Sequence, residues 1–467
     1  MIRRMCAPKR ALIALAAFLV LAAPAAMAQT LIDNIEGLAF DETGDPVRFT
    51  GLMIGRDGRV EQLLARQDKR PKKPDHTIDG KGRFMMPGLI DSHLALMPLA
   101  IALLRAEGAA ANGWPESAFP PPRPEDRDVA FGKLQRLLAA QGITAVADMG
   151  TTIEDWQTYR RAGDAGTLYL RIIGYGADIP AMALIAGPRP TPWLYDDRLR
   201  LAGLHLALNT PAPKGSGTPG DMAYNEAQLR NLMSRAAMSG FQPAVSAHSE
   251  AAVRLALHAI EELALTYGQQ RRWRIEGFGT VVVEDATLFA AQKVTTSLVP
   301  AGPGALPAWH TLQQNGARVA LGSGRGKESG TGVSGLALMA QMAELAQRAD
   351  QTHFATLLAA STRHGAHAAF AETRFGQLAR GQYADFVMLD GDPTSLAPAE
   401  WASLRVMETW IGGRRIYDAA LEATRASAGP GQSIKGPEGE AAPVFGPQLD
   451  QLPLPAPVPD FAVPGVR

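Results

Sequence analysis

The spacing of apolar positions changes twice along the chain, and each change marks a boundary. Between residues 30 and 85 the sequence reads as short strands separated by turns. The clearest is a hairpin, Gly51-Leu52-Met53-Ile54-Gly55-Arg56-Asp57-Gly58-Arg59-Val60, with Asp57-Gly58 as its turn. From about residue 86 to residue 370, helical stretches alternate with short apolar runs bounded by glycine. Glu125 to Ala140, Asn225 to Ser239 and Glu250 to Tyr267 carry apolar residues at helical spacing. Ile143 to Ala147, Pro243 to Ser246, Val294 to Leu298 and Val319 to Gly322 read as strands between such helices. Strand and helix alternating over this length predict a parallel sheet, and at this size a closed barrel. Gly376 to Asp390 and Thr409 to Tyr417 return to a turn, a strand and a hairpin. From residue 425 onward Pro, Gly and Ala dominate, which predicts a disordered or surface-lying tail.

Composition bounds the function. Of 467 residues, 46 are Lys or Arg and 46 are Asp or Glu, a balance that argues against a nucleic-acid partner. The first residues form a secretory signal. Arg3, Arg4, Lys9 and Arg10 are a positive segment, Ala11 to Ala23 is apolar, and Ala26-Met27-Ala28 fits a small-residue cleavage site. Cleavage there leaves Gln29 first and no transmembrane anchor. Arg3-Arg4 leaves twin-arginine and general export both open. The single cysteine, Cys6, lies in the segment to be removed, so the mature chain has no thiol for disulfides or metal. These features predict an exported protein of a bacterial periplasm.

Three segments carry the chemistry. They are Met86-Pro87-Gly88-Leu89-Ile90-Asp91-Ser92-His93, Gly142-Ile143-Thr144-Ala145-Val146-Ala147-Asp148-Met149-Gly150, and Gly376 to Asp392 followed by Thr409 to Tyr417. In order and spacing the chain resembles the metal-dependent amidohydrolase superfamily, in the branch of imidazolonepropionase-like and N-acyl-amino-acid hydrolase-like proteins. The resemblance covers roughly residues 31 to 418. It implies a (β/α)₈ TIM-like barrel with a small β-sandwich built from both chain ends. The expected division is a signal peptide (1–28), a first sandwich part (29–85), the barrel (86–372), a second sandwich part (373–420) and the tail (421–467).

The resemblance also implies hydrolysis of carbon–nitrogen bonds other than peptide bonds, by one or two divalent metals at the C-terminal ends of barrel strands. Such a metal polarises a carbonyl and generates hydroxide from water. Carried onto this chain, the first ligand is His93, and its His-x-His partner falls at Ala95. The middle-strand position falls near His205. The later histidines fall at Ser246 and Gly277, and the final aspartate at Gly324. Ala, Ser and Gly in recognisable flanking phrases remove the donor atoms, which predicts a degenerate metal site. A rebuilt site of His93, His205 and His248 stays open, since three imidazoles and a water suit zinc. The cofactor expectation is therefore none, or one divalent ion, with zinc first.

Other candidates have plainer readings. Asp91 and Asp148 lie beside strand ends and are expected to fix turns and backbone amides. Glu276 is expected to be structural and to face away from position 277. Ser246 and Ser323 have no evident base or orienting acid, so no serine-hydrolase triad is expected. His364 and His367 are expected on the solvated face of a helix from Phe354 to Phe370. Two functions follow. One is a hydrolase with few metals or a rearranged site. The other is a non-catalytic protein that binds a small molecule or a partner, with a homodimer allowed. The residues favour the second.

Overall fold

The computed structural model describes residues 28–428, apart from 114, 116–117, 210–220, 278–280, 282, 301–303, 325–337 and 350–352. Its N-terminal strands are β1 (Thr30–Phe40), β2 (Pro46–Ile54), β3 (Val60–Leu64), β4 (His76–Asp79) and β5 (Phe84–Pro87). The barrel strands are β6 (Leu89–Leu94), β7 (Ile143–Thr151), β8 (Arg171–Gly176), β9 (Leu199–Ala207), β10 (Gln242–Ser246), β11 (Arg274–Glu276), β12 (Thr295–Leu298) and β13 (Val319–Leu321). Three more follow: β14 (Phe386–Leu389), β15 (Val406–Ile411) and β16 (Arg414–Asp418).

The barrel strands are hydrogen-bonded in chain order, β6 through β13, and every pair is parallel. Each strand is short and almost wholly buried, as a sheet covered on both faces requires. Between β13 and β6 the ladder is replaced by individual bonds. The amide of Gly324 donates to the carbonyl of His93 (2.9 Å), and that of Ser323 to Asp91 Oδ1 (2.9 Å). Asp91 Oδ1 also accepts from the His93 amide (3.0 Å). Asp91 is thus the amide-fixing residue expected of it. Burial pushes its carboxyl above the usual range, although the Ser323 and His93 contacts oppose the shift.

The second unit is a mixed sheet from both chain ends, in the order β16-β15-β14-β5-β1-β2-β3, with β4 beside β1. It forms one continuous hydrogen-bonded network. On its edge away from β2, β1 pairs with β4 at Thr30–Asp33 and with β5 at Glu36–Gly37, and its ladder with β2 shifts register between Asp33 and Gly37. The Asp57-Gly58 turn lies where the sequence put it, with Gly58 at φ 75°. The sheet runs through Pro87, which pairs with Phe386, so it extends two residues into the stretch expected for the barrel. Arg171 of β8 and Asp385 form a buried ion pair (2.6 Å) that joins the two units.

Two expectations are corrected. The stretch from Phe354 to Phe370 is two helices, Phe354–Ala360 and Arg363–Ala368. His364 there is partly buried, with Nδ1 2.9 Å from the Val319 carbonyl, and His367, also partly buried, lies 3.7 Å from Glu372. Neither lies on a solvated face, because this helix packs against β6 and β13. The tail expected from 421 begins as a helix, Ala419–Ala428, whose first turn is held by Asp418 Oδ1 accepting from the Ala420 amide (2.9 Å). The rest of the expected tail, and residues 1–27 of the expected signal segment, lie outside the described residues. No helix among the described residues is long and apolar enough to cross a membrane.

Asp148, three residues before the end of β7, shows what a carboxylate in the last part of a barrel strand does here. Oδ1 accepts from the Leu96 amide (2.8 Å), and Oδ2 accepts from Thr151 Oγ1 (2.7 Å) and Tyr159 Oη (2.9 Å). It therefore holds the first turn of the helix Leu96–Asn112, and ties the last residue of its own strand to the helix Ile153–Asp164 that follows. Burial, with the nearby Asp155 charge, raises its pKa to about 6 against these three donors. Replacing Asp148 by alanine strands a buried amide and two hydroxyls. The expected loss is about 1–3 kcal/mol, read as a lower urea midpoint at unchanged slope. A midpoint equal to that of the wild type would refute this anchoring role.

Candidate active site at the barrel mouth

The C-terminal ends of parallel barrel strands carry loops that can present side chains to a ligand. His93 lies near that end of β6, His205 near the end of β9, Ser246 at the end of β10 and Glu276 at the end of β11. His248 follows β10 by two residues, just before the helix Glu250–Tyr267. The structure brings the three candidate histidines together. The rings of His93 and His205 are 6.3 Å apart at 77°. His248 is close enough to both to act on them electrostatically.

Each imidazole has one nitrogen engaged by the protein. His93 Nδ1 is 2.7 Å from Glu276 Oε2. His205 Nε2 is 2.8 Å from Ser246 Oγ. His248 Nδ1 is 2.8 Å from the Gly277 carbonyl. A carboxylate and a carbonyl only accept, so Nδ1 carries the proton in neutral His93 and His248.

Behind these rings lies a buried charge pair. Arg274 and Glu276 are two apart on β11, both fully buried, and are ion-paired with each other. Arg274 also donates to Tyr175 Oη (2.9 Å) and to the Ser92 carbonyl. Tyr175 Oη in turn donates to Gln242 Oε1 (2.6 Å). Glu276 is thus held between a permanent cation and an imidazole. Burial drives the His93 pKa down to about 4, with Arg274 adding to the shift and Asp91 opposing it. Arg274 shares the Glu276 carboxylate, so burial prevails and the ring stays neutral. Burial, then His93, His248 and Arg274, brings His205 to about 3. His248 is lowered by burial against its bond to Gly277, with His93 adding.

The positions at which the resemblance led us to expect family ligands are shaped by their neighbours. Ala95 is the residue before the helix Leu96–Asn112. Gly277 has φ 68°, and a Cβ there would lie 2.9 Å from His248 Cε1. Gly324 has φ 65°, and a Cβ there would lie 2.6 Å from Val299 Cγ2. At both positions a side chain would be strained by the positive φ, and the neighbouring side chain would have to shift to admit it. Among the described residues, no group of three or more His, Cys, Asp or Glu side chains is arranged to hold a metal ion.

Sequence reasoning underrated three residues here. Glu276 points inward to His93. Strand parity would turn it away from position 277, but β11 ends at Glu276 and Gly277 leaves the strand with positive φ. Arg274 was not singled out, yet two opposite charges two apart in an apolar strand were a legible signal of one polar face. Ser246 does have an imidazole partner, His205, which only the adjacency of β9 and β10 supplies. Among the described residues no carboxylate hydrogen-bonds to that ring, so the pair is not a triad.

The sequence profile of the amidohydrolase family matches residues 98–417. This chain belongs to the amidohydrolase family. The matched span begins after His93 and contains His205, Ser246, His248, Gly277 and Gly324. Among curated amidohydrolase relatives, an imidazolonepropionase of Stenotrophomonas maltophilia is 26% identical over 407 residues, covering 79% of this chain and 92% of that protein. An imidazolonepropionase of Cupriavidus taiwanensis is 26% identical over 420 residues, covering 80% and 93%. A metal-dependent hydrolase from Pyrococcus furiosus superposes with a TM-score of 0.62 at 16% identity, over 78% of this chain and all of that one. An adenosine deaminase from Xanthomonas campestris with bound zinc superposes with a TM-score of 0.58 at 17% identity, over 87% of this chain and 98% of that one. At such identities the superpositions establish the barrel fold.

Proposed function

We propose that this amidohydrolase-family chain is an exported, periplasmic protein whose barrel mouth binds a small molecule without the metal set of its relatives. Hydrolysis of carbon–nitrogen bonds, the family's chemistry, is then weak or lost. One observation carries the reading. The space beside two expected ligand positions is taken by other side chains, His248 against Gly277 and Val299 against Gly324.

The donor set does not fit the family's metal centre. A divalent cation of this class needs several nitrogen or oxygen donors converging on one point. Here His93 turns Nδ1 to Glu276, and that carboxylate already neutralises Arg274. His205 and His248 each turn one nitrogen to the protein. No catalytic step is therefore derived through a metal. What the residues supply is three neutral imidazoles, a hydroxyl and a buried ion pair at the C-terminal ends of neighbouring barrel strands. Such a lining suits a small polar ligand that both donates and accepts hydrogen bonds.

Elemental mass spectrometry of the mature protein tests the reading, after purification without chelator and again after zinc supplementation. The expected content is well below one divalent ion per chain in both preparations. Near-stoichiometric zinc that is lost in His93→Ala would overturn the proposal. It would favour the rebuilt site of His93, His205 and His248, and with it a screen of amides and lactams.

A further inference from the structure

We infer that maturation converts Gln29 into an anchored N-terminal ammonium that Asp75 holds and that is protected from cyclisation; this rests on the export reading, in which cleavage follows Ala28. Gln29 is clamped at three points. Its backbone nitrogen is 2.9 Å from Asp75 Oδ2. Its carbonyl accepts from the His76 amide (3.1 Å). Its side-chain Nε2 donates to Glu61 Oε2 (2.6 Å). The next residue, Thr30, already pairs with Ile54 on one side and His76 on the other.

Cleavage between Ala28 and Gln29 turns the first of these contacts into an ion pair. The nitrogen that donates to Asp75 as a peptide amide becomes a cationic α-ammonium at the same place. Asp75 also pairs with Arg56 (2.7 Å), and both contacts favour its charged form. The Ala26-Met27-Ala28 cleavage signal and the first structural clamp therefore meet at one peptide bond, although one is read from sequence and the other from tertiary contacts.

A free N-terminal glutamine has a characteristic side reaction. The unprotonated α-amine attacks the side-chain Cδ, the Cδ–Nε2 bond breaks, and ammonia leaves with the proton lost by the amine. The product is a five-membered lactam, and no oxidant or co-reactant is needed. Both participants are restrained here. Asp75 stabilises the protonated amine, which is not a nucleophile. Glu61 holds the side-chain amide on strand β3, so the five-membered approach requires breaking that bond. Raising the ammonium pKa by one unit alone reduces the reactive amine about tenfold at pH 7.

The test uses the full chain, exported and purified from the periplasm, with mass spectrometry of the intact protein and its N-terminal peptide during incubation at neutral pH. The expected wild-type terminus is unmodified Gln29. An Asp75→Asn/Glu61→Gln variant, checked for an unchanged thermal midpoint, is expected to lose ammonia at least about tenfold faster. Equal rates in the two proteins, with the terminus at Gln29, would overturn the clamp and leave the export reading standing. A terminus at any other residue would overturn both.

Discussion

Arg274→Met is expected to destabilise the folded protein by about 3–5 kcal/mol, because it leaves Glu276 buried without its cation. Arg274 and Glu276 are both fully buried, with side chains that have no solvent-exposed surface. The substitution also removes the donors to Tyr175 Oη and the Ser92 carbonyl, which tie β11 to β8 and β6. Glu276→Gln in the same chain is expected to recover much of the loss, since a neutral amide tolerates burial better than an unpaired carboxylate. Urea unfolding of the wild type, the single variant and the double variant measures both effects. A single-variant loss below about 1 kcal/mol would show that the pair does not organise the mouth. His93 adds a second readout. Removing the Arg274 charge relieves part of what holds the imidazole below its usual range, so its titration is expected to move upward.

Acid is expected to unfold the protein over the window in which its partly buried histidines resist protonation. His93 and His364 stand at about 4 and His205 at about 3. For His364, burial dominates, the Val319 carbonyl opposes, and Arg318 and Arg363 add. In the unfolded chain all three titrate near 6.5. Below that value the unfolded state binds more protons than the folded one, so stability present at neutral pH is lost as pH falls toward 4. Between pH 7 and pH 5 each ring contributes at most about 2 kcal/mol of loss. Asp148 works in the other direction. Its folded pKa of about 6 exceeds the unfolded value, so it regains about 1 kcal/mol over the same interval. The net expectation is a loss of several kcal/mol, seen as a much lower urea midpoint at pH 5 than at pH 7. His364→Gln, which leaves the mouth untouched, should flatten that dependence by one ring's share. A midpoint independent of pH in both proteins would contradict the burial of these neutral rings.

Both predictions depend on residues whose roles the sequence conveyed unequally. His364 and His367 looked like a solvated pair because three-residue spacing was continued through one long helix. Their helix is instead a separate turn packed beneath β6 and β13, and burial follows from that contact. Glu276 and Arg274 share a strand face by parity, which is local information. Their meeting with His93 is not local, because it requires β6 and β11 to face each other across the barrel interior.

By itself the sequence determined the order and kind of the elements and their division into a barrel and a second sheet. It did so because side-chain period and turn chemistry act over a few residues. Glu250–Tyr267 spans the helix read from its apolar spacing, and the Asp57-Gly58 turn sits between β2 and β3. The family phrases identify the barrel for the same reason, since each is a strand with its following turn. The tertiary structure alone decided what surrounds the expected ligand positions. Gly277 and Gly324 are blanks in the sequence, whereas in space His248 and Val299 stand against them. Ser246 acquires His205 as a partner only when β9 and β10 lie side by side. Burial, charge sharing and steric occupancy depend on residues far apart in the chain. They set the protonation of the mouth and the room left in it, which no local pattern encodes.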